Sequence, residues 1–214
     1  MKRSLFIILL VLIIDQALKV WIKTSFYLGE DLRITDWFII HFTENPGMAF
    51  GLEWGGLWGK LGLSIFRLIA IIGITWWLRN LIRHNNPFLG ILAVSLVLAG
   101  ALGNLLDSAF YGLLFDRGLT FDTEAHQWLG YTGVAQLNGE GYAAPMLGNV
   151  VDMLYFPLYN GYLPDWIPFW GGDYFVFFRP IFNIADASIT AGFVLMLLFQ
   201  KRAFHKPEPR HIEP

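Results

Sequence analysis

The 214-residue sequence has no cysteine, which removes disulfides, thiol nucleophiles, thiolate zinc sites and iron–sulfur clusters together. Charge is also scarce: Asp, Glu, Lys and Arg make up 15% of the chain, against about 25% in an ordinary soluble domain. What charge there is nearly cancels, with 15 Lys and Arg against 17 Asp and Glu. A net charge of −2 gives no basic field for nucleic acid, so nucleic acid is not an expected partner. Two hydrolytic signatures are missing as well. His41 and His126 have no Gly-x-Ser-x-Gly elbow to go with them, and no His-Glu-x-x-His run supplies a zinc site; neither a serine hydrolase nor a metalloprotease is expected.

Apolar residues are abundant, at 55% of the chain, with an aromatic share of 17%. A bilayer core of about 30 Å needs about 20 mostly apolar helical residues, and four runs qualify, at about 4–23, 58–78, 88–111 and 180–200. The first has a basic start like a signal peptide, but it lacks a small-residue cleavage site and carries Asp15 and Lys19 late in the run, so it reads as a span. Lys2, Arg3, Arg79, Arg83, Lys201, Arg202, Lys206 and Arg210 fall on one side if the helices alternate; by the positive-inside rule both termini are cytoplasmic. The outer segments are then about 24–57 and 113–179. Leu32–Thr43 has the branched and aromatic content of strands. Tyr155–Tyr174, rich in Gly, Pro and aromatics, reads as interfacial. The expected fold is an all-α polytopic membrane protein with four transmembrane helices, a small extracytoplasmic β-sheet and an interfacial segment, N-in/C-in. Residues 1–204 form one membrane-embedded domain, and 205–214 a disordered cytoplasmic tail.

Ionisable residues inside a span are costly and mark functional sites by default. Asp15, Lys19, Arg67, Asn104, Asp107, Asn183 and Asp186 all fall at one depth, in the outer parts of the four runs. The inner halves are almost wholly apolar, which argues against a channel or transporter. Asp15 and Lys19 stand i,i+4 and can pair. Gly100, Gly103, Asn104 and Asp107 share one small, polar helix face suited to a close helix contact. Asn183, Asp186, Ala187 and Thr190 repeat that spacing. Asp186 has no adjacent cation in sequence, which favours chemistry; Arg67 reads as a counter-ion or snorkelling side chain. Asp152, in Gly148–Met153, would on its own read as a surface carboxylate at a turn.

Taken in order, the chain gives Asp15-Gln16-x-x-Lys19, Asn45-Pro46-Gly47-Met48-Ala49-Phe50, Gly100-Ala-Leu-Gly103-Asn104-Leu-Leu-Asp107, Val150-Val151-Asp152 and Phe182-Asn183-Ile-Ala-Asp186. This order resembles the lipoprotein signal peptidases (signal peptidase II), bacterial inner-membrane aspartic endopeptidases. The resemblance implies cleavage of prolipoprotein signal peptides before a diacylglyceryl-modified cysteine, within membrane lipid and toward its outer face. It implies no metal and no cofactor, a catalytic pair at Asp152 and Asp186, and inhibition by cyclic peptides of the globomycin type. Asn45, Gly47, Asn104, Asp107, Asn183, Asp15 and Lys19 would support the pair or the substrate, although Asn-Pro-Gly is also a plain turn signal.

Two departures stand out. Where the family usually has Asp-Arg, this chain has Asp107-Ser108; Arg67, Arg117 or Arg179 would have to replace the missing cation. Inserts at about 113–147 and 157–178 lengthen the second outer segment. Trp170-Gly171-Gly172-Asp173 misses the Gly-x-Gly-Asp of presenilin-like proteases by its first residue. The alternative class is a non-enzymatic membrane scaffold that uses the same polar faces for helix assembly.

Overall fold

The structure, a computed structural model, describes residues 1–47 and 56–204. Motif residues Met48, Ala49 and Phe50, and the 205–214 tail expected to be disordered, lie outside the described residues. The chain divides into two compact units. A span unit comprises Met1–Gln16, Ile65–Leu105 and the described part of Ile184–Pro214; a strand unit comprises Ala17–Ser64 and Leu106–Asn183.

Among the described residues three helices are long and apolar enough to cross a membrane: α1 (Lys2–Ser25), α2 (Gly56–Arg83), and α3 (Phe88–Leu106) with its continuation to Leu114, whose last turn is α4 (Gly112–Leu114). The α2–α3 turn is built by Asn85, at φ +49°, with the Asn86 N–H returning to the Leu81 carbonyl at 3.0 Å. Asparagine tolerates that left-handed geometry at a helix end, and Pro87 then precedes α3, where a missing N–H costs nothing.

The fourth run differs from expectation. Pro180 does not begin a helix; Ile181–Phe182 form strand β8, pairing with Tyr155 and Leu154. A branched and an aromatic residue beside proline favour extended backbone, so the helix α5 starts only at Ile184 and runs to Leu198. Its 15 residues span about 22 Å at 1.5 Å each, less than the bilayer core; a short α6 (Gln200–Phe204) follows. The described residues therefore supply three span-length helices and one shorter apolar helix where four spans were expected.

Small residues let the span unit's helices touch. A Cβ on Gly100 would lie 2.1 Å from the Ala185 carbonyl oxygen, on Gly90 2.2 Å from that of Ala203, and on Gly192 2.6 Å from that of Ala93. These are backbone-to-backbone approaches, the close packing that holds helices together where lipid gives no hydrophobic drive. Ser188 adds a hydrogen bond from its Oγ to the Leu96 carbonyl at 2.9 Å. Around them Ile71, Leu78, Leu81, Val94 and Leu98 form the apolar core.

The strand unit is more extensive than the small sheet expected within an all-α fold. β1 (Asp31–Thr35), β2 (Phe38–Asn45), β5 (Val150–Tyr155) and β8 form one antiparallel sheet in the order β1-β2-β5-β8. The two inserts fold as separate hairpins, β3–β4 (Thr120–Asp122, Gln127–Leu129) and β6–β7 (Tyr159–Tyr162, Tyr174–Phe177). β5 is buried along Val150–Met153, in keeping with an apolar run broken only by Asp152. The pairings Ile40↔Leu154 and Thr43↔Asp152 leave one extra residue on β2, a bulge of the kind that re-aims side chains beside functional sites. Ile22, Phe42, Phe115, Val151 and Met153 make up the core beneath the sheet.

Candidate active site

Asp152 is not a surface carboxylate at a turn. It lies within β5, opposite Thr43, and is 4% exposed. Its Oδ1 accepts a hydrogen bond from Asn183 Nδ2 at 2.6 Å, and the same amide reaches the Val151 carbonyl at 3.3 Å. Asn183 is fully buried. Asp186 sits in the first turn of α5. Its Oδ1 accepts from Asn104 Nδ2 at 2.7 Å, near the end of α3. Each aspartate thus receives an amide from an asparagine distant in sequence: Asn183, three residues before Asp186, serves Asp152, and Asn104, three before Asp107, serves Asp186.

A second parallel holds one residue earlier in each element. The N–H of Ala185, just before Asp186, donates to Asp15 Oδ1 at 2.9 Å. A helix leaves its first N–H groups without intrahelical partners, and a carboxylate there meets both the donor and the positive end of the dipole. Gln16 Nε2 steadies Asp15 at 3.1 Å and also reaches the Gly103 carbonyl at 3.3 Å. Gly103 is required for that approach, since a Cβ would lie 2.8 Å from Asp15 Oδ2 and 3.0 Å from the Ala185 Cβ.

In the strand unit the N–H of Val151, just before Asp152, donates to Asp107 Oδ2 at 3.3 Å. Asp107 opens a π-helical turn, Asp107–Tyr111, that interrupts the expected regular helix to residue 111. Such turns occur frequently at functional sites because they shift side chains out of α-helical register. Lys19 Nζ pairs with Asp107 Oδ2 at 2.8 Å, with both side chains fully buried. The cation at Asp107 therefore comes from α1. Arg117 is engaged by Asp116 and by the Thr132 carbonyl, and Arg179 is exposed. Ser108 is 2% exposed and its carbonyl accepts the Gly148 N–H at 2.8 Å. Asn45 ends β2; its Oδ1 accepts the Gly47 N–H at 2.9 Å. Gly47 has φ +112°, a value glycine adopts readily.

The sequence reading missed a buried polar network in the strand unit. Glu44 forms an ion pair with Lys23, and takes hydrogen bonds from the Tyr131 hydroxyl at 2.9 Å, the Leu119 N–H at 2.8 Å and Asn149 Nδ2 at 2.7 Å. Asn149 Oδ1 accepts from Lys60, and the Asn149 N–H donates to the Tyr142 hydroxyl at 2.7 Å. Lys23 Nζ also stands 5.1–5.4 Å from the ring centres of Phe115, Tyr131 and Tyr142. Burial, and then the Glu44 charge, raise both tyrosines above their ordinary pKa of 10.0. Signals were present: Lys23 continues the i,i+4 row of Asp15 and Lys19, Glu44 precedes Asn45, and Asn149 precedes Val150.

Among the described residues no cluster of His, Asp and Glu is arranged to hold a metal ion. The chemistry on offer is that of buried carboxylates with amide donors, able to take and give protons.

A family model described as signal peptidase (SPase) II matches residues 7–201. A protein named lipoprotein signal peptidase from Porphyromonas gingivalis is 44% identical over 199 residues, covering 92% of this chain and 81% of that protein. Another of the same name from Amoebophilus asiaticus is 36% identical over 212 residues, 96% of this chain and 80% of that protein. A solved structure described as a bacterial membrane enzyme matches with TM-score 0.58 and 24% identity, covering 94% of this chain and 93% of that chain.

Proposed function

Because the chain belongs to the signal peptidase II family, we propose that Asp152 and Asp186 are the catalytic pair with which it removes signal peptides from prolipoproteins. It is a protease and a bacterial multi-pass membrane protein. The observation that carries the residue assignment is the repeated arrangement. Each of the two aspartates accepts an asparagine amide, and each follows a residue whose N–H is held by another buried carboxylate.

In the proposed reaction, one member of the pair is ionised and removes a proton from the water that attacks the scissile carbonyl. The other is protonated, donates to that carbonyl oxygen as negative charge develops, and then delivers a proton to the leaving amine. Two carboxylates sharing one proton suffice for this. The family's aspartic chemistry supports it, as does a cysteine-free sequence with no serine elbow. Asn183 and Asn104 orient the two carboxylates. Asp15 and Asp107–Lys19 fix the backbone that carries them, and Asn45–Gly47 supports the peptide.

The substrate is a prolipoprotein whose cysteine already carries diacylglycerol, cut just before that residue. The site faces the outer side of the cytoplasmic membrane, with the lipid chains left in the bilayer, and a cyclic peptide of the globomycin type occupies it as an inhibitor. A cleavage assay on the purified protein with lipidated prolipoprotein tests the pair. Asp152→Asn and Asp186→Asn each abolish cleavage while helical content and thermal unfolding stay near wild type. Normal turnover by either folded variant would overturn the assignment, and the unlipidated precursor should remain uncut.

A further inference from the structure

We propose that the tip of the β6–β7 hairpin is a lipid anchor, seated in the headgroup layer of the membrane that the chain spans. The hairpin belongs to the second insert and has no part in the reaction proposed above. Each of its strands has four residues, and it forms a separate two-stranded sheet. A two-stranded hairpin is marginal in water without something to pack on. This one keeps large rings outside: Phe169 is 97% exposed, Trp166 80%, Tyr162 73% and Trp170 64%.

Three observations single out lipid as the occupant. The first is composition. Residues 156–178 contain no Lys, Arg or Glu, and only Asp165 and Asp173 are charged. An edge meant for water is normally guarded by charge, whereas Trp and Tyr gather where hydrocarbon meets headgroups. The second is that part of the tip's backbone closes on itself, which lowers the cost of leaving bulk water for the headgroup layer. Within the tip, the N–H groups of Leu163 and Gly172 pair with the carbonyls of Asp173 and Leu163, at 2.9 and 3.0 Å. Those of Ile167, Gly171 and Asp173 also bond within the loop, and Pro164 and Pro168 have none to satisfy. The third is strain. Phe169 has φ +70°, an uncommon conformation for a bulky residue, and it holds outward the most exposed ring of the hairpin. The turn spends conformational energy on presenting an aromatic ring, which in water would only lose by it.

The absence of cysteine makes the test direct. Phe169→Cys and, in the charged β3–β4 turn, Glu124→Cys each accept one environment-sensitive fluorophore. The full-length protein is then placed in nanodiscs of phosphatidylethanolamine and phosphatidylglycerol. The label at position 169 should be quenched by nitroxide-bearing lipid and shielded several-fold from aqueous iodide relative to the label at 124. Equal iodide access at the two positions would overturn the proposal and leave the face to a protein partner. An unlabelled measurement guards against a misfolded cysteine variant: brominated lipid should quench less of the total tryptophan emission after Trp166→Phe/Trp170→Phe than after Trp128→Phe. Equal loss of quenching in the two would count against the anchor.

Discussion

Two groups of carboxylates in this protein are held by different partners. In the region around the inserts, Glu44 faces Lys23, and at the π-helical turn Asp107 faces Lys19. At the proposed catalytic positions Asp152 and Asp186 receive amides from Asn183 and Asn104. A lysine in contact ties the carboxylate into an ion pair, and removing either partner strands a buried charge. An amide orients one carboxylate oxygen, which suits a group proposed to exchange a proton during a reaction. The comparison separates carboxylates that hold the structure from those proposed to do chemistry; Glu44, Asp107 and Asp152 are buried and Asp186 is half-buried.

The sharpest way to break the comparison is to neutralise one member of each group. Asp152→Asn should lower cleavage by at least about 10²–10⁴-fold, the range for losing an acid–base group, and leave unfolding almost unchanged. Lys23→Met should do the reverse. Removing one partner strands the Glu44 charge at a cost of about 3–5 kcal/mol, seen as early thermal unfolding or failure to express. Lys23→Met combined with Glu44→Gln should recover part of that loss, since a pair replaced together is far cheaper than a pair broken. If Lys23→Met unfolded like wild type, the lysine-held group would not be structural.

Asn183→Ala and Asn104→Ala come next. Each removes the donor to a proposed catalytic carboxylate, and an unmade buried hydrogen bond costs about 1–3 kcal/mol. If that loss falls on orientation of the aspartate, turnover should drop about 10- to 100-fold at saturating substrate, 1.4 kcal/mol being tenfold, with a smaller change in unfolding. Unchanged turnover would mean that the amides do not orient the aspartates for catalysis.

Periodicity made α1, α2 and α3 legible because lipid forces long apolar runs, and the motif order named Asp15, Asn104, Asp107, Asp152, Asn183 and Asp186, which the structure engages within each unit. Three features were not legible, each for a physical reason. The start of the fourth helix was displaced because Ile181 and Phe182 suit either structure, and pairing with β5 decides between them. The π-helical turn leaves no periodic trace within five residues. The pairing of Glu44 with Lys23 was not legible, although Lys23 continues the row of Asp15 and Lys19, because a charged residue near the end of an apolar run reads as solvated. The first insert, which supplies Leu119, Tyr131 and Tyr142, and Asn149 just beyond it surround the pair, and partners so distant in sequence cannot be paired from composition.

The lysine-held region should also open at alkaline pH. Tyr131 and Tyr142 are pushed above 10.0 by burial and by Glu44, so neutral tyrosine is favoured more in the folded state than in the unfolded one. Their contribution is complete below about pH 10 and is lost as pH rises toward the folded values. Tyr131→Phe loses one hydrogen bond, about 1 kcal/mol, and should weaken the alkaline transition followed through amide exchange at Leu119.

The smallest expected effect lies at the acid edge of the same insert. Asp116 accepts the Gln136 N–H at 2.6 Å and is paired with Arg117. That backbone hydrogen bond, and then the guanidinium, hold its carboxyl below the ordinary 3.8. A lowered folded value contributes stability above the unfolded pKa and loses it as pH falls through the folded one. Exchange at Gln136 should therefore be slow at neutral pH and should accelerate only below about pH 4, beyond the ordinary pH dependence of exchange. Asp116→Asn keeps an acceptor oxygen but removes the titration, so its protection should be weaker and flat with pH. Cleavage should be the same in both proteins at neutral pH, because the loop belongs to the lysine-held region and not to the asparagine-held pair. A drop in cleavage with Asp116→Asn would show that the insert shapes the reaction as well as the fold, and would dissolve the distinction between the two groups.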